Sequence, residues 1–124
     1  MTKTMYKVVR LLNGRYVSCL KQNGLVYEIG YTTFPAIGKI FCFSNLEDAR
    51  SFFRDETWIP GLCILSGIGE NPKRIKLMSM CSARDELFWK LYKNKKGIKG
   101  KMSYGHPPTG SFVVDNFTPN KVLQ

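Results

Sequence analysis

The chain has 124 residues, of which 44% are hydrophobic and 13% aromatic, and this composition excludes an intrinsically disordered protein. Chains divide into separate cores only well above this length, so we expect one domain over residues 1–124. Lys and Arg number 19 against 9 Asp and Glu, which gives a formal net charge of +10 and favours an anionic partner such as nucleic acid, a nucleotide or an acidic protein.

The first part of the chain predicts a β-meander, because short runs of β-branched and aromatic residues are separated by Asn-Gly turns. The strongest hairpin signal is Asn13-Gly14, and Asn23-Gly24 turns the chain again. Strands are predicted over residues 5–12, 15–20, 25–29 and 39–43, with a loop over 30–38.

A helix is predicted next, from Ser44 to about Arg54. Ser44 and Glu47 match the capping box, in which a hydroxyl and a carboxylate satisfy backbone donors at a helix start. The apolar residues repeat at helical spacing and form one stripe, which consists of Leu46, Ala49, Phe52 and Phe53. We therefore expect this helix to pack on the sheet.

The second half of the chain predicts two strands, a second helix and a last strand. Strands over 62–66 and 75–80 are joined through 67–74, with Asn71-Pro72 as the turn. Ser82 caps the predicted second helix and Gly97 stops it, while acidic residues near its start and lysines near its end suit the helix dipole. Residues 97–110 are predicted as a loop, 111–117 as a strand and 118–124 as a tail. The predicted fold class is α+β, an antiparallel β-meander sheet with two helices packed on it.

The cysteines and the N-terminal segment indicate a cytoplasmic protein. Four cysteines lie inside apolar runs without a CxxC pair, and the chain has a single histidine, so neither a zinc site nor another metal site is expected. The first residues lack the apolar core of a signal peptide, and no run is long enough to cross a bilayer. Reduced, buried thiols and no membrane association are the expectation.

Catalytic chemistry has little support in the sequence. His106 is the one side chain whose ordinary pKa lies near neutrality, and a triad of a cysteine, His106 and Asp115 can be written. The alternative, a loop histidine before a proline pair, is favoured because the cysteines lie in apolar strands. Gly67-Ile68-Gly69 lacks the third glycine and the helix of a phosphate loop. We expect no enzyme and no cofactor.

Binding chemistry is better supported, above all by residues 88–101, where three aromatic residues stand among six lysines and no acid. Aromatic rings stack on bases, and cations bind phosphates, although such a run can also serve only solubility. Phe88 fits a core position as well, whereas Trp89 lies off the apolar stripe and is expected on a partner surface. Trp58 either caps the core or flanks a pocket, and the two helix arginines either bind phosphate or pair with Glu47 or Asp55. The candidate ligand-binding residues are Arg50, Arg54, Trp58, Phe88, Trp89, Tyr92, Asn94, Lys99 and Lys101.

Four segments carry a resemblance: YKVVRLL at 6–12, YEIG at 27–30, GKIFCFSNLEDARSFF at 38–53 and PPTGSFVVDNFTP at 107–119. The arrangement resembles the Thoeris anti-defence proteins of the first type, which are small bacteriophage proteins. The resemblance implies a protein of the host bacterial cytoplasm that holds a cyclic ADP-ribose isomer, made by a TIR-domain immune enzyme, without cleaving it. Some members also bind cyclic oligonucleotides at a second site, and members assemble as dimers or hexamers.

The family pocket uses an arginine, an aromatic residue and an asparagine, which the resemblance places at Arg54, Phe88 or Trp89, and Asn94. No arginine follows Arg84, so a lysine would replace a C-terminal phosphate-binding arginine, the candidates being Lys99, Lys101 and Lys121. The expectation is a non-enzymatic, homo-oligomeric nucleotide-binding domain that sequesters an immune signal. A basic single-stranded nucleic-acid-binding protein is the main alternative, ahead of a nuclease or ADP-ribosyl hydrolase and of an inhibitor of an acidic host protein.

Overall fold

The structure, a computed structural model, describes residues 1–18, 25–75, 78–79, 89, 104–105 and 107–124. The described elements, in chain order, are β1 (Thr2–Leu12), β2 (Arg15–Ser18), β3 (Val26–Tyr27), β4 (Ile40–Phe43), α1 (Leu46–Asp55), β5 (Leu62–Glu70), β6 (Lys73–Arg74), β7 (Met78–Ser79), β8 (Tyr104–Gly105), β9 (Ser111–Val114) and β10 (Phe117–Val122).

Eight of these strands form one antiparallel sheet, in the order β10-β5-β1-β4-β9-β6, with β2 paired to β1 and β3 paired to β2. Strand β1 pairs with three other strands. Along one edge of β1, β5 pairs with it from Thr2 to Arg10. The other edge is divided between β4, which pairs at Tyr6, and β2, which pairs from Val9 onward. Strands β7 and β8 pair separately.

The loop after β3 is fastened to the outer edge of β10. Thr33 forms a β-bridge with Phe117, and the Gly30 amide donates to the Pro119 carbonyl at 2.7 Å. The hydroxyls of Thr32 and Thr118 are 2.6 Å apart. These bonds hold the loop after β3 against β10.

The two faces of the sheet bury different sets of residues, as the alternation of side chains along a strand requires. Met5 and Val9 of β1 face the larger cluster, whose other buried members are Tyr27, Ile40, Cys42, Leu65, Val114 and Phe117. Val8 faces the opposite way, into a cluster with Phe43, Ala49 and Ile64 beneath α1. The rings of Tyr27 and Phe117 meet edge to face at 6.1 Å.

Helix α1 packs on the sheet through the predicted stripe, which is confirmed. Ala49 is fully buried, and Leu46, Phe52 and Phe53 pack against the same cluster. The predicted capping residue is wrong by one position. Asn45 is the N-cap, and its side-chain oxygen accepts from the Glu47 amide at 2.7 Å. Asparagine is as good an N-cap as serine, so the capping-box pattern selected the wrong one of two neighbours.

Strand β5 is longer than predicted, because it continues through Gly67 and Gly69 to Glu70. A Cβ on Gly67 would lie 2.3 Å from the Thr118 carbonyl oxygen, and one on Gly69 would lie 2.6 Å from a Val114 methyl group. The two glycines therefore allow β10 and β9 to approach β5 closely, and they are not a loop.

The remaining differences concern the ends of the chain and the second helix. The predicted tail over 118–124 is wrong, because β10 extends through Val122 against β5. Within the described residues α1 is the one helix with defined bounds, so the two-helix prediction is not matched. The predicted helix after Ser82 lies outside the described residues except for Trp89, which has helical geometry.

The identity of the N-cap gives a direct test. Replacing Asn45 with Ala should lower the free energy of unfolding by about 1 kcal/mol, because the Glu47 amide loses its acceptor. Urea denaturation of Asn45→Ala, with Ser44→Ala as the matched control, measures the difference. A larger loss in the Ser44 variant would show that the capping box forms after all.

Candidate functional site

The arginines predicted as ligand-binding residues lie on α1, and the structure gives them different surroundings. Arg50 donates to the Glu47 carboxylate at 3.3 Å and to the Gln124 side-chain oxygen at 3.2 Å. It is therefore engaged, as the alternative interpretation anticipated. Arg54 is exposed in the last turn of α1, and no ion pair to it is found within the described residues.

Trp58 lies in the turn that follows α1, and 72% of its surface is exposed. Of the two roles predicted for it, capping the core is therefore wrong. Its indole N–H donates to the Glu56 carboxylate, which orients the ring without covering its faces. Arg54 in the last turn of α1 and Trp58 in the turn that follows are both open to solvent, so this end of the helix exposes a cation and an aromatic side chain.

Trp89 is placed differently from the prediction of a partner surface, because only 6% of its surface is exposed. Its ring lies 5.6 Å from that of Phe41, and a Cβ on Gly38 would fall 2.1 Å from a carbon of the indole. Gly38 has a φ of +69°, so both its backbone conformation and the indole beside it require glycine. The Trp89 side chain therefore packs on β4 and the loop before it.

The other predicted site residues, Phe88, Tyr92, Asn94, Lys99 and Lys101, lie outside the described residues, as does His106. Their roles remain predictions.

A cationic cluster that the sequence did not predict surrounds Phe112 of β9. The Lys3 ammonium lies 5.8 Å from the centre of the Phe112 ring, and the Arg74 guanidinium lies 5.3 Å from it. Arg74 is the direct cross-strand partner of Phe112 on β6. Lys3 and Arg74 are exposed, whereas Phe112 is half-buried against the larger core cluster. We call Lys3, Arg74 and Phe112 the Phe112 cluster.

Asp115 follows β9, and its carboxylate accepts hydrogen bonds from two other side chains. Lys39 and the Asn71 amide, the latter at 2.8 Å, both donate to it. These hydrogen bonds hold the pKa of Asp115 below its ordinary value of 3.8. Asp115 is thus a structural anion, which argues against a place for it in a catalytic triad.

A second unusual cation, Lys7, is buried on the inner face of β1, with 6% of its surface exposed. Its ammonium donates to the Phe41 carbonyl at 2.7 Å and lies 5.9 Å from the centre of the Tyr27 ring. Lys7 lies between Tyr6, where β1 pairs with β4, and Val9, where its pairing with β2 begins. Burial raises the pKa of the neighbouring Cys42 thiol from 9.0 to about 12, an effect that the Lys7 charge partly offsets.

No helix in the described part of the chain is long and apolar enough to span a membrane. Among the same residues, no group of three His, Cys, Asp or Glu side chains comes together as metal ligands.

Comparison with protein-family models, with curated proteins and with solved structures finds no match to this chain.

The burial of Cys42 predicts that its thiol reacts slowly with alkylating reagents. At pH 8 an alkylating reagent should modify Cys42 at least about tenfold more slowly than Cys63, which is partly exposed, because the Cys42 thiol stays protonated and covered. Peptide mapping by mass spectrometry measures both rates, and full modification in urea is the control. Equal rates in the folded protein would contradict the burial of Cys42.

The Lys39–Asp115 pair predicts a pH dependence of stability. Because the folded pKa of Asp115 is lowered, the pair stabilises the fold above the ordinary pKa of 3.8, and this contribution is lost as the pH falls through the lower folded value. Asp115→Asn should therefore lower the free energy of unfolding near neutral pH, by less than about 1 kcal/mol since both partners are partly exposed.

The difference between wild type and Asp115→Asn should shrink below pH 3.8. Urea titrations across that range measure it, and Lys39→Ala with the double variant isolates the pair. A difference that stays constant with pH would contradict the assignment.

Proposed function

We propose that this protein binds a small phosphorylated nucleotide of the cyclic ADP-ribose type and sequesters it without altering it, so that a bacterial immune signal is silenced. The ligand class comes from the resemblance to the Thoeris anti-defence proteins of the first type. A single-stranded nucleic-acid-binding role is the alternative, and the experiment below separates the two.

The observation that carries the proposal is the open indole of Trp58, which follows the exposed Arg54 by four residues at the end of α1. An isolated domain gains little from an aromatic side chain held in solvent, whereas a nucleotide base gains about 1–3 kcal/mol from stacking on one. The hydrogen bond to Glu56 orients the ring before a ligand arrives, which lowers the entropy cost of binding. Arg54 can take a phosphate group through its paired N–H donors.

Sequestration also suits the chemistry of the described residues. Tight binding needs cations, stacking rings and a concave site, but no nucleophile or matched acid and base. Cys42 is a poor nucleophile because burial raises its pKa to about 12. Asp115 is held by Lys39 and Asn71. Assembly into a homo-oligomer would supply concavity at a subunit boundary, and Phe88, Tyr92, Asn94, Lys99 and Lys101 remain the predicted further contacts to the ligand.

Calorimetric titration of the purified protein with cyclic ADP-ribose isomers, and with a single-stranded oligonucleotide for comparison, tests the proposal. Trp58→Ala and Arg54→Ala should each weaken binding of one isomer at least about tenfold with little change in melting temperature, because both side chains are exposed. Phe34→Ala removes another exposed ring, and Arg15→Ala another exposed cation, as matched controls.

The bound nucleotide should be recovered unchanged by chromatography after the protein is denatured. Absence of binding by every isomer, or recovery of an altered product, would overturn the proposal. Binding of the oligonucleotide alone, with log-linear salt dependence, would favour the alternative.

A further inference from the structure

The Phe112 cluster contains two cations whose charges no acidic side chain balances within the described part of the chain. The ion pairs found there are Lys39–Asp115 and Arg50–Glu47, and neither involves Lys3 or Arg74. Asp115 and Glu70 are not suited to balance them. Asp115 already accepts from Lys39 and Asn71.

Glu70 is excluded by strand alternation. It follows Gly69, which pairs with Lys3, and successive side chains point to opposite faces of a strand. The Lys3 side chain therefore lies on the face opposite to the Glu70 carboxylate.

The Phe112 ring brings the two cations to one place. Phe112 packs against the core, and both the Lys3 ammonium and the Arg74 guanidinium are attracted to its ring. The ring face attracts the positive charges but offers no lone pairs. The N–H donors of both cations therefore remain available to oxygen atoms. The ring itself is occupied by cations and is therefore unsuited to stacking a base.

Two restrained cations, one of them a guanidinium with paired donors, match an anion with several oxygens and more than one negative charge. A carboxylate carries only one negative charge, so it would leave one of the two positive charges unbalanced. From this geometry we propose that the Phe112 cluster is a phosphate-binding site, which takes the phosphates of a nucleic acid strand or the pyrophosphate of a nucleotide. The site shares no residue with the nucleotide site proposed at Arg54 and Trp58. Evidence against one proposal therefore does not contradict the other.

Strand β6 offers a matched control for the test. Lys73 precedes Arg74 and pairs with Val113, so its side chain lies on the other face of the same strand. Lys73→Ala and Arg74→Ala remove the same charge at neighbouring exposed positions, but only the second changes the cluster. Arg74→Lys keeps the charge and removes the paired donors.

The experiment measures binding of a fluorescent oligothymidylate to the full chain across a range of salt concentrations, with inorganic pyrophosphate as competitor. Arg74→Ala and Lys3→Ala should each weaken oligothymidylate binding roughly tenfold, as expected for a lost hydrogen bond to a charged group. Each should also reduce the salt slope by about 0.7, the value for one phosphate contact with a single strand. Arg74→Lys should keep the slope and lose affinity, and Lys73→Ala should change affinity less than threefold.

Competition by pyrophosphate that disappears in Arg74→Ala would support a site for a discrete phosphate group from either source. Oligothymidylate binding without competition, but with the same loss in Lys3→Ala and Arg74→Ala, would support a site specific for the polymer. Equal losses in Arg74→Ala and Lys73→Ala would show a diffuse charge effect and overturn the proposal. Failure of the wild type to bind either probe would overturn it as well.

Discussion

The ladder between β1 and β5 joins nine residue pairs, from Thr2 with Glu70 to Arg10 with Leu62, and the other strands of the eight-stranded sheet and α1 are built on it. It brings alternate residues of both strands into the larger core cluster and the residues between them under α1. Strand β10 then pairs with the free edge of β5, which is possible only where Gly67 leaves room for the Thr118 carbonyl. One long antiparallel pairing thus fixes the core, the seat of the helix and the approach of the last strand.

The inner face of β1 is buried along most of its length and exposed at its first residues, and the two lysines on this face differ accordingly. Met5 and Val9 are fully buried, whereas Lys3 is exposed at the end of the strand. Lys7 lies between the apolar positions, and a buried ammonium is costly unless it is bonded. The Phe41 carbonyl and the Tyr27 ring offset that cost at the point where β2 replaces β4 beside β1. The charge at Lys7 is therefore part of the sheet, and the charge at Lys3 is available to a partner.

Local patterns predicted the elements that depend on local physics and failed where distant parts of the chain decide. The apolar stripe of α1 and the hairpin at Asn13-Gly14 follow from helical spacing and turn chemistry, and both are confirmed. Gly67 suggested the end of a strand because its reason, the close approach of β10, comes from residues fifty positions later. The Phe112 cluster escaped prediction for the same reason, since its three residues meet only through β1, β6 and β9. The two tryptophans differ in exposure, which sequence spacing could not show. Trp58 is open to solvent, whereas Trp89 is buried and packs against Phe41.

The few acids of the chain determine where its positive charge can act. Among the described residues Glu47 pairs with Arg50 and Asp115 with Lys39, while Glu56 orients Trp58. These acids meet local structural needs and leave Arg54 at one place, and the Phe112 cluster at another, open to anions. The two places differ in the use of their rings, because the indole of Trp58 is open to a base and the Phe112 ring already holds cations. On the two proposals made above, a ligand that needs stacking would bind at the end of α1, and one that presents only phosphate would bind at the Phe112 cluster.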